Sequence, residues 1–565
     1  MTKIVCVIPV RINSTRLPAK HFMEINASRI IDTQYKNVNN CVKGVEVIYA
    51  IPDTKENDLL ATYLESNNIN FYRGSEHNVY QRIVDIASKE KADWLIRING
   101  DNVFHVQDLF EQVVDEINND KYDLVTNVYP RSYPAGCSIE AIRASVFIAE
   151  HENSNLTDED KEHVMPFFYR TLDDSKIKNI LLIPACDGES LALDTRADYE
   201  AISFIAKSSG TVINSNSIAE LVNIRKQFKQ SYPFIGKHGV FTIAEVGGNH
   251  EGDFEYAKKL VQLACETDVD CVKLQIYSPD LLVNKNISPQ RHAHFGKFTL
   301  AKQQYMDLIK MIRDAGKTVS ASVWSIKELH EYIEYIDFIK VGSGDLTDAL
   351  MLNAAKETGK PVIVSTGLAS LEDVRNAIKL IDPDKSRGEK IGILQCTSMY
   401  PIPDFDCNLN VMSTFKEAFP LNLIGYSDHT VGYDALIYSV ASGAKILEFH
   451  FTDNKEDRSF RDHLVSLTKS DVGKLIKAII NVNTLMGTGV KKPVLSEDVN
   501  GHVQSFRKGV FLIKDMKKGD VISVHDLITL RPDEGIAASE SFDLLGKVLN
   551  QDIDANQTLS WDMFK

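Results

Sequence analysis

The sequence predicts an α/β chain of three units. A layered unit with a mostly parallel sheet spans 1–225, a (β/α)8 barrel spans 235–490, and a small β-rich unit spans 500–565. Two observations carry this. Apolar, β-branched runs alternate with helical patterns through most of the chain. That alternation breaks twice. Around 208–238, SSGTVINSNS and QSYPFIGKHG flank a short helical run, and around 487–505 GTGVKKPVLSEDVNGHVQS has no apolar period.

In the first unit KIVCVIPV, VEVIYAIP, ADWLIRI, DLVTNV and NILLIPA read as buried strands with helices between them. In the second, strand-like runs fall at 240–246, 271–277, 318–323, 336–342, 361–366, 391–397, 422–427 and 445–451. Helical stretches such as FEYAKKLVQLACE and LEDVRNAIKLI separate them, and KSDVGKLIKAIINVNTLMG follows the last. That is the repeat count of a (β/α)8 barrel. A doubly wound open sheet is the alternative, because periodicity does not reveal closure. In the third unit VFLIKDMKKGDVISVHDLITLRP and LLGKVLNQDIDANQTLSW read as short strands joined by Gly and Asp-Asn turns.

The 565 residues are 44% hydrophobic and 25% charged, ordinary globular usage. A formal net charge of −15 argues against a nucleic-acid surface but leaves room for local basic pockets. The eight cysteines include no C-x-x-C pair, which fits a reduced, cytoplasmic compartment. The apolar run in MTKIVCVIPVRINS is too short for a signal peptide, and no stretch approaches the roughly 20 apolar residues of a membrane span. We therefore expect a cytoplasmic protein with neither a nucleic-acid nor a membrane partner.

In a barrel, chemistry collects where the strands end. The polar residues there are Glu245, Asn249 and His250; Lys273 and Gln275; Ser320 and Ser322; Lys340, Ser343 and Asp345. The later strands add an STG turn, then Cys396, Thr397, Ser398 and Tyr400, then Ser427, Asp428 and His429, and last Glu448 and His450. Lysines in apolar strands are costly unless paired or bound to an anion. Lys273 and Lys340 are thus either ion-paired to Glu245 or Glu448, or part of a phosphate or carboxylate cradle. His429 and His450, 21 residues apart across one helix, fall at the ends of neighbouring strands. Each alone is as well a structural histidine; together they form a candidate divalent-metal pair with open positions. The stretch from Asp453 to Arg461 reads as a solvated loop over the rim.

AEVGGNHEG, VKLQIY, FIKVGSGD, VSTG, QCTSMYPIP, GYSDHT and EFHF together resemble the sialic acid synthase family, in order through about 240–470. The resemblance implies condensation of phosphoenolpyruvate with an N-acylated hexosamine-type sugar to a nine-carbon 2-keto acid. By that likeness His429 and His450 hold a divalent metal, usually manganese, as a Lewis acid. Lys273, Ser322, Lys340, Ser343, Ser398 and Ser427 hold phosphoenolpyruvate. Glu245 transfers a proton, Asp462 contacts the sugar, and Gln275, Asp345 and Tyr400 lie on the sugar side. Ser322, Ser398 and Asp345 stand where members often carry Thr, Asn and Glu. The loop SPDLLVNKNISPQRHAHFGKF matches no family pattern and is expected to shape the sugar pocket. FRKGVFLIKDMKKGD and RPDEGIAA resemble the antifreeze-like (SAF) domain that closes the family's chain. This implies a homodimer in which Arg507 reaches over the partner's barrel.

The first unit carries VIPVRINSTRLPAKHF after its first strand, with Arg11, Ser14, Arg16 and Lys20 on one loop. Such a loop suits a polyphosphate, and equally a basic solvated loop. Asp101 in RINGD follows a strand, and Asp194 in ALDT is placed at another strand end. The two suit a shared Mg²⁺; each singly suits a helix N-cap. RINSTRLPAK, FYRGSEHNVYQR, RINGD, YPAGCSIEA, KEHVMPFFY and ALDT resemble the acidic-sugar cytidylyltransferases, nearest the spore-coat polysaccharide branch and the CMP-sialic acid synthetases, over about 1–206. That implies a Rossmann-like nucleotidyltransferase domain. In it Arg11, Ser14, Arg16, Lys20, Arg73 and Arg82 bind CTP, and Asp101 and Asp194 hold Mg²⁺. Asn13 stands where members usually carry Gly. Together the halves imply a bifunctional enzyme that makes a nonulosonic acid and activates it with CMP. The alternatives are a first domain serving a different sugar, or one half that only binds sugar or nucleotide as a regulator.

Overall fold

The computed structural model describes residues 2–41, 44–153, 155–458 and 460–565. The first unit is built on a seven-stranded sheet. Its spatial order is Phe71–Gly74, Glu46–Pro52, Ile4–Pro9, Trp94–Ile98, Ile139–Arg143, Leu124–Thr126, Ile177–Asn179. Only Ile139–Arg143 runs antiparallel to its neighbours. The central strands are buried on both faces, which is why they read as unbroken apolar runs. Two strands escaped the sequence reading. Phe71–Gly74 is a half-buried edge, and Ile139–Arg143 carries Glu140, ion-paired at 2.7 Å to Arg97 opposite it.

One expected strand is displaced. NILLIPA is apolar, yet the ladder covers Ile177–Asn179, and Ile180 makes the last bond, to Thr126 O at 2.8 Å. Leu181 and Ile183 beyond it are exposed. Asp194 likewise ends no strand of the sheet. It follows a single-residue bridge at Ala192 and precedes the helix Arg196–Ser209, whose N-cap is Thr195 in a capping box with Asp198.

The second unit is a closed barrel of eight parallel strands from Phe241–Glu245 to Ile446–His450, which removes the open-sheet alternative. The last strand pairs with the first, placing His450 beside Glu245. The barrel's lower interior is apolar: Ile243, Cys271, Phe338, Ile363, Leu394 and Ile446 fill it. Phe234, from the segment before the first strand, plugs the bottom, edge-on to Phe338 at 5.1 Å. Above that plug the inward positions turn polar. Glu245 is in register with Lys273, Gln275 with Ser322, Ser322 with Lys340, and Ser427 with Glu448. The outer strand faces pack against the helices.

The third unit is a small core around Val510, Leu512, Ile522, Leu544 and Leu559. One antiparallel pair, Gly509–Leu512 with Leu527–Leu530, and single-residue bridges hold it. Before it, helix Leu495–Val499 lies on the first unit, with Leu495 and Val499 against that unit's core. Lys492 is 2.8 Å from Glu24. Among the described residues no helix is long and apolar enough to cross a membrane, and the eight cysteines are free thiols.

Candidate functional site

The polar layer of the barrel opens into a cavity of about 660 Å³. Glu245, Lys273, Gln275, Ser322, Lys340, Ser343, Asp345, Ser398, Tyr400, Ser427, His429 and Asp462 all line it. At its floor lies a buried quartet. Lys273 Nζ is 2.9 Å from Glu245 Oε2 and 3.2 Å from Glu448 Oε2; Lys340 Nζ is 3.2 Å from Glu448 Oε1. The lysines are therefore ion-paired, and they also face the pocket. Burial pushes the Glu245 carboxyl up, but Lys273, His450 and Lys340 together outweigh it and hold it well below the carboxylate range. Burial lowers Lys273 as well, yet Glu245 and Glu448 raise it above the usual ammonium value. For Lys340 burial prevails over Glu448, and its pKa falls.

Hydroxyls ring this floor. Lys273 Nζ donates to Ser322 Oγ at 3.1 Å, and Ser427 Oγ donates to Glu448 Oε1 at 3.1 Å. Gly367 N donates to Ser343 Oγ at 3.1 Å. A Cβ built on Gly367 would lie 2.3 Å from Ser398 Oγ and 2.8 Å from Ser343 Oγ, so a glycine is what lets both hydroxyls converge. Ser365, in the STG turn, also lines the cavity, and its buried Oγ has no partner. Sequence reasoning placed it at a strand end without a role; only burial singles it out.

The two histidines meet as expected, ring centroids 5.3 Å apart. His429 Nδ1 is 2.9 Å from Thr397 O, and no hydrogen bond engages Nε2 among the described residues. Among the described residues His450 Nδ1 is buried without a partner, and its Nε2 is 4.0 Å from Glu245 Oε2. An orphaned buried imidazole nitrogen and a free one fit a divalent ion held by two protein ligands. Among the described residues no group of three or more His, Cys, Asp or Glu gathers as in a closed metal centre. The Tyr400 ring stacks on His429 at 4.0 Å, and Arg461 lies over Tyr400 at 4.5 Å.

The rim refines the loop reading. Phe460 and Arg461 line the cavity, and Arg461 Nε is 3.1 Å from Asp462 Oδ1. Asp453 is nearly buried, held by Tyr256 at 2.6 Å and by Lys259 and Arg458. No described residue of 453–461 is fully buried, and Asn454, Glu456, Asp457 and Arg461 are exposed; Ser459 lies outside the described residues. His463 faces Thr452 and Glu251. The unmatched loop after the second strand folds into helices Pro279–Leu282 and Pro289–Gly296 and walls the cavity with Leu282, Ser288, Arg291 and Phe295. Arg507 is exposed on the third unit and does not line the cavity of its own chain.

In the first unit Asp194 Oδ1 takes Arg16 at 3.1 Å and Lys20 at 3.4 Å. Asp101 is half-buried beside them, and its buried Oδ1 has no hydrogen-bond partner among the described residues. Burial raises its pKa, Asp194 adds to the rise, and Lys20 opposes it. An unpartnered buried carboxylate oxygen beside a second carboxylate fits a divalent ion. The loop itself is tied down by Ile12 N to Asn57 Oδ1 at 3.0 Å and Leu17 N to Ser14 Oγ at 3.3 Å. Arg82 is buried and bonds Ala50 O at 3.1 Å; burial and then neighbouring Arg11 lower its pKa to about 10. Arg73 engages Asp53 and Asp58 instead of this group.

Three family models match successive stretches: Cytidylyltransferase over residues 5–203, NeuB family over 260–491 and SAF domain over 507–565. The chain is 33% identical to the N,N'-diacetyllegionaminic acid synthase of Legionella pneumophila, over 57% of this chain and 94% of that protein. It is 29% identical to the human N-acetylneuraminate-9-phosphate synthase, over 57% of this chain and 92% of that one. Among solved structures, a spore coat polysaccharide biosynthesis protein E from Chromobacterium violaceum shares the fold, with TM-score 0.51 and 22% identity over 57% of this chain and 99% of that one. The chain belongs to the NeuB family of sialic acid synthases, with a cytidylyltransferase domain before its barrel and a SAF domain after it.

Proposed function

We propose that the chain makes a nonulosonic acid in its barrel and activates it in its first domain. The observation that supports this most is the layer of lysines, hydroxyls and two histidines on one barrel rim. Lys273, Lys340, Ser322, Ser343, Ser398 and Ser427, with Ser365, hold the phosphate and carboxylate of phosphoenolpyruvate. A divalent ion such as Mn²⁺, held by His429 and His450, supplies Lewis-acid polarisation of the sugar aldehyde when bound. C3 of phosphoenolpyruvate bonds to the aldehyde carbon, water supplies the new oxygen at C2, and inorganic phosphate leaves. Glu245, kept ionised by Lys273, accepts and passes on a proton at this centre. Asp345, Gln275, Tyr400 and Asp462 orient the sugar.

In the first domain Arg11, Ser14, Arg16 and Lys20 bind the CTP phosphates, with Arg82 behind them and Arg73 the weakest candidate. Asp101 and Asp194 hold Mg²⁺. The anomeric hydroxyl of the acid attacks the α-phosphorus and pyrophosphate leaves. The working units are 1–225, 235–490 and 500–565, in a cytoplasmic homodimer whose Arg507 completes the partner's sugar site. Phosphate release from phosphoenolpyruvate across a panel of N-acylated amino sugars, with and without EDTA, tests the synthase. No metal-dependent turnover with any of them would sink it and favour a sugar-binding regulator. Mass spectrometry after adding CTP tests the second step, and an unmodified acid would assign the first domain to a different sugar.

A further inference from the structure

The helix Leu495–Val499 stands between two glycine joints. Gly489 before it and Gly501 after it have left-handed backbone, at φ 75° and 67°. Its place is therefore set by what it packs on, and that is the first unit. Leu495 and Val499 are half-buried against that unit's core, and the helix lies on helix Asp58–Ser66. Lys492 reaches Glu24 at 2.8 Å, but an exposed ion pair holds little on its own. The apolar pair makes the seat.

Helix Asp58–Ser66 in turn carries both ends of the loop that holds Arg11, Ser14, Arg16 and Lys20. At the near end Asn57, buried at the start of that helix, accepts Ile12 N through Oδ1 at 3.0 Å. Ile12 O then accepts Ser14 N at 3.1 Å and Ala19 N at 2.9 Å, so Ile12 sets the span of the loop. At the far end the Phe22 ring packs edge-on to Tyr63 at 5.3 Å. Tyr63 is buried within the same helix, and its hydroxyl donates to Asp32 Oδ1 at 2.6 Å. The hairpin that follows the loop, Glu24–Ile25 with Ser28–Arg29, is the one Lys492 reaches, and Arg29 lies over Tyr63 at 4.9 Å. A segment from beyond the barrel thus covers the helix from which the loop hangs. A helix stripped of its cover opens locally more often. Groups aimed at a polyphosphate lose their effect when displaced by roughly 1 Å.

We propose that Leu495 and Val499 are positioning residues for the CTP loop. They seat helix Asp58–Ser66, and through Asn57 and Tyr63 that helix fixes where Ser14, Arg16 and Lys20 stand. The first domain is then complete only within the fused chain. This rests on the reading of the loop as the CTP site. The test uses the full chain with Leu495→Asp and Val499→Asp together, beside Leu495→Met with Val499→Ile, which keeps an apolar seat. In CMP transfer to a supplied nonulosonic acid, the acidic pair is expected to raise KM for CTP about tenfold with kcat within about twofold, the scale of one aimed hydrogen bond lost. The apolar pair is expected to keep the wild-type KM. Amide exchange followed by mass spectrometry is expected to quicken over 11–22 in the acidic variant alone. An unchanged KM for CTP overturns the proposal, and so does a fall in kcat with KM held. If no form of the chain, wild type included, transfers CMP, the CTP reading fails and exchange decides alone: quicker exchange over 11–22 upholds the seat, and unchanged exchange overturns it. If the acidic pair does not fold, Val499→Ala reads the same two quantities.

Discussion

Lys273 Nζ lies 2.9 Å from Glu245 Oε2 at the buried floor of the barrel cavity. Removing the lysine leaves two carboxylates, Glu245 and Glu448, facing each other in a dry site with Lys340 as their nearest compensation. Breaking a buried pair in this way costs roughly 3–5 kcal/mol. Lys273→Met is expected to lower the unfolding midpoint of the barrel and to abolish phosphate release. Lys273→Met with Glu245→Gln removes one of the stranded charges, so stability recovers in part while activity does not. Thermal melts and a phosphate assay on both variants check this. Full stability in Lys273→Met would show that the pair does not hold the floor together.

The two proposed metal sites sit on separate domains, so their losses are expected to separate. His429→Ala or His450→Ala is expected to empty the barrel of its ion and stop phosphate release, while CMP transfer to a supplied nonulosonic acid continues within about twofold. Asp101→Asn is expected to do the reverse. Metal content by elemental analysis, beside the two activity assays, reads both. Loss of both activities from either variant would mean that the halves are coupled.

Gly367 tests the proposed phosphoenolpyruvate cradle without touching a charge. An added methyl would displace the Ser398 and Ser343 hydroxyls, which can rotate away at little cost to the fold. Gly367→Ala is therefore expected to shift the unfolding midpoint slightly. It is expected to raise KM for phosphoenolpyruvate about tenfold or more, since each misaimed hydroxyl forfeits about 1 kcal/mol. KM for the sugar is expected to move less. A variant that melts far lower, with KM for phosphoenolpyruvate unchanged, would contradict the placement.

Much of this site was legible because its residues break a local rule. Lys273 and Lys340 interrupt apolar strands, and His429 and His450 recur one strand–helix repeat apart. What the sequence left open depends on closure. Glu245 meets His450, and Lys273 meets Glu448, because the last strand pairs with the first. Arg461 lay in a charge-rich run whose composition argued for solvent; it is 67% exposed, yet it also lies over the Tyr400 ring at the cavity mouth. NILLIPA misled for the opposite reason: its apolar residues pass the sheet edge, where Ile183 stays 86% exposed.

Asp345 gives the site a pH dependence of definite sign. Burial raises its pKa, Asp348 adds to the rise and Lys340 opposes it, leaving a value of about 6 against an ordinary 3.8. A raised carboxyl favours the protonated form in the fold. Its contribution to stability is present below pH 3.8 and is lost as pH rises through about 6. Binding runs the other way. If the carboxylate accepts the sugar's N–H, KM for the sugar falls as pH rises from 5 to 7 and levels off above. Asp345→Asn cannot titrate and presents an amide oxygen throughout, so its KM is higher at neutral pH and flat across the same interval. Initial rates at saturating phosphoenolpyruvate, from pH 5 to 8, measure both. The same slope in Asp345→Asn would assign the titration to another group and leave Asp345 a structural acid.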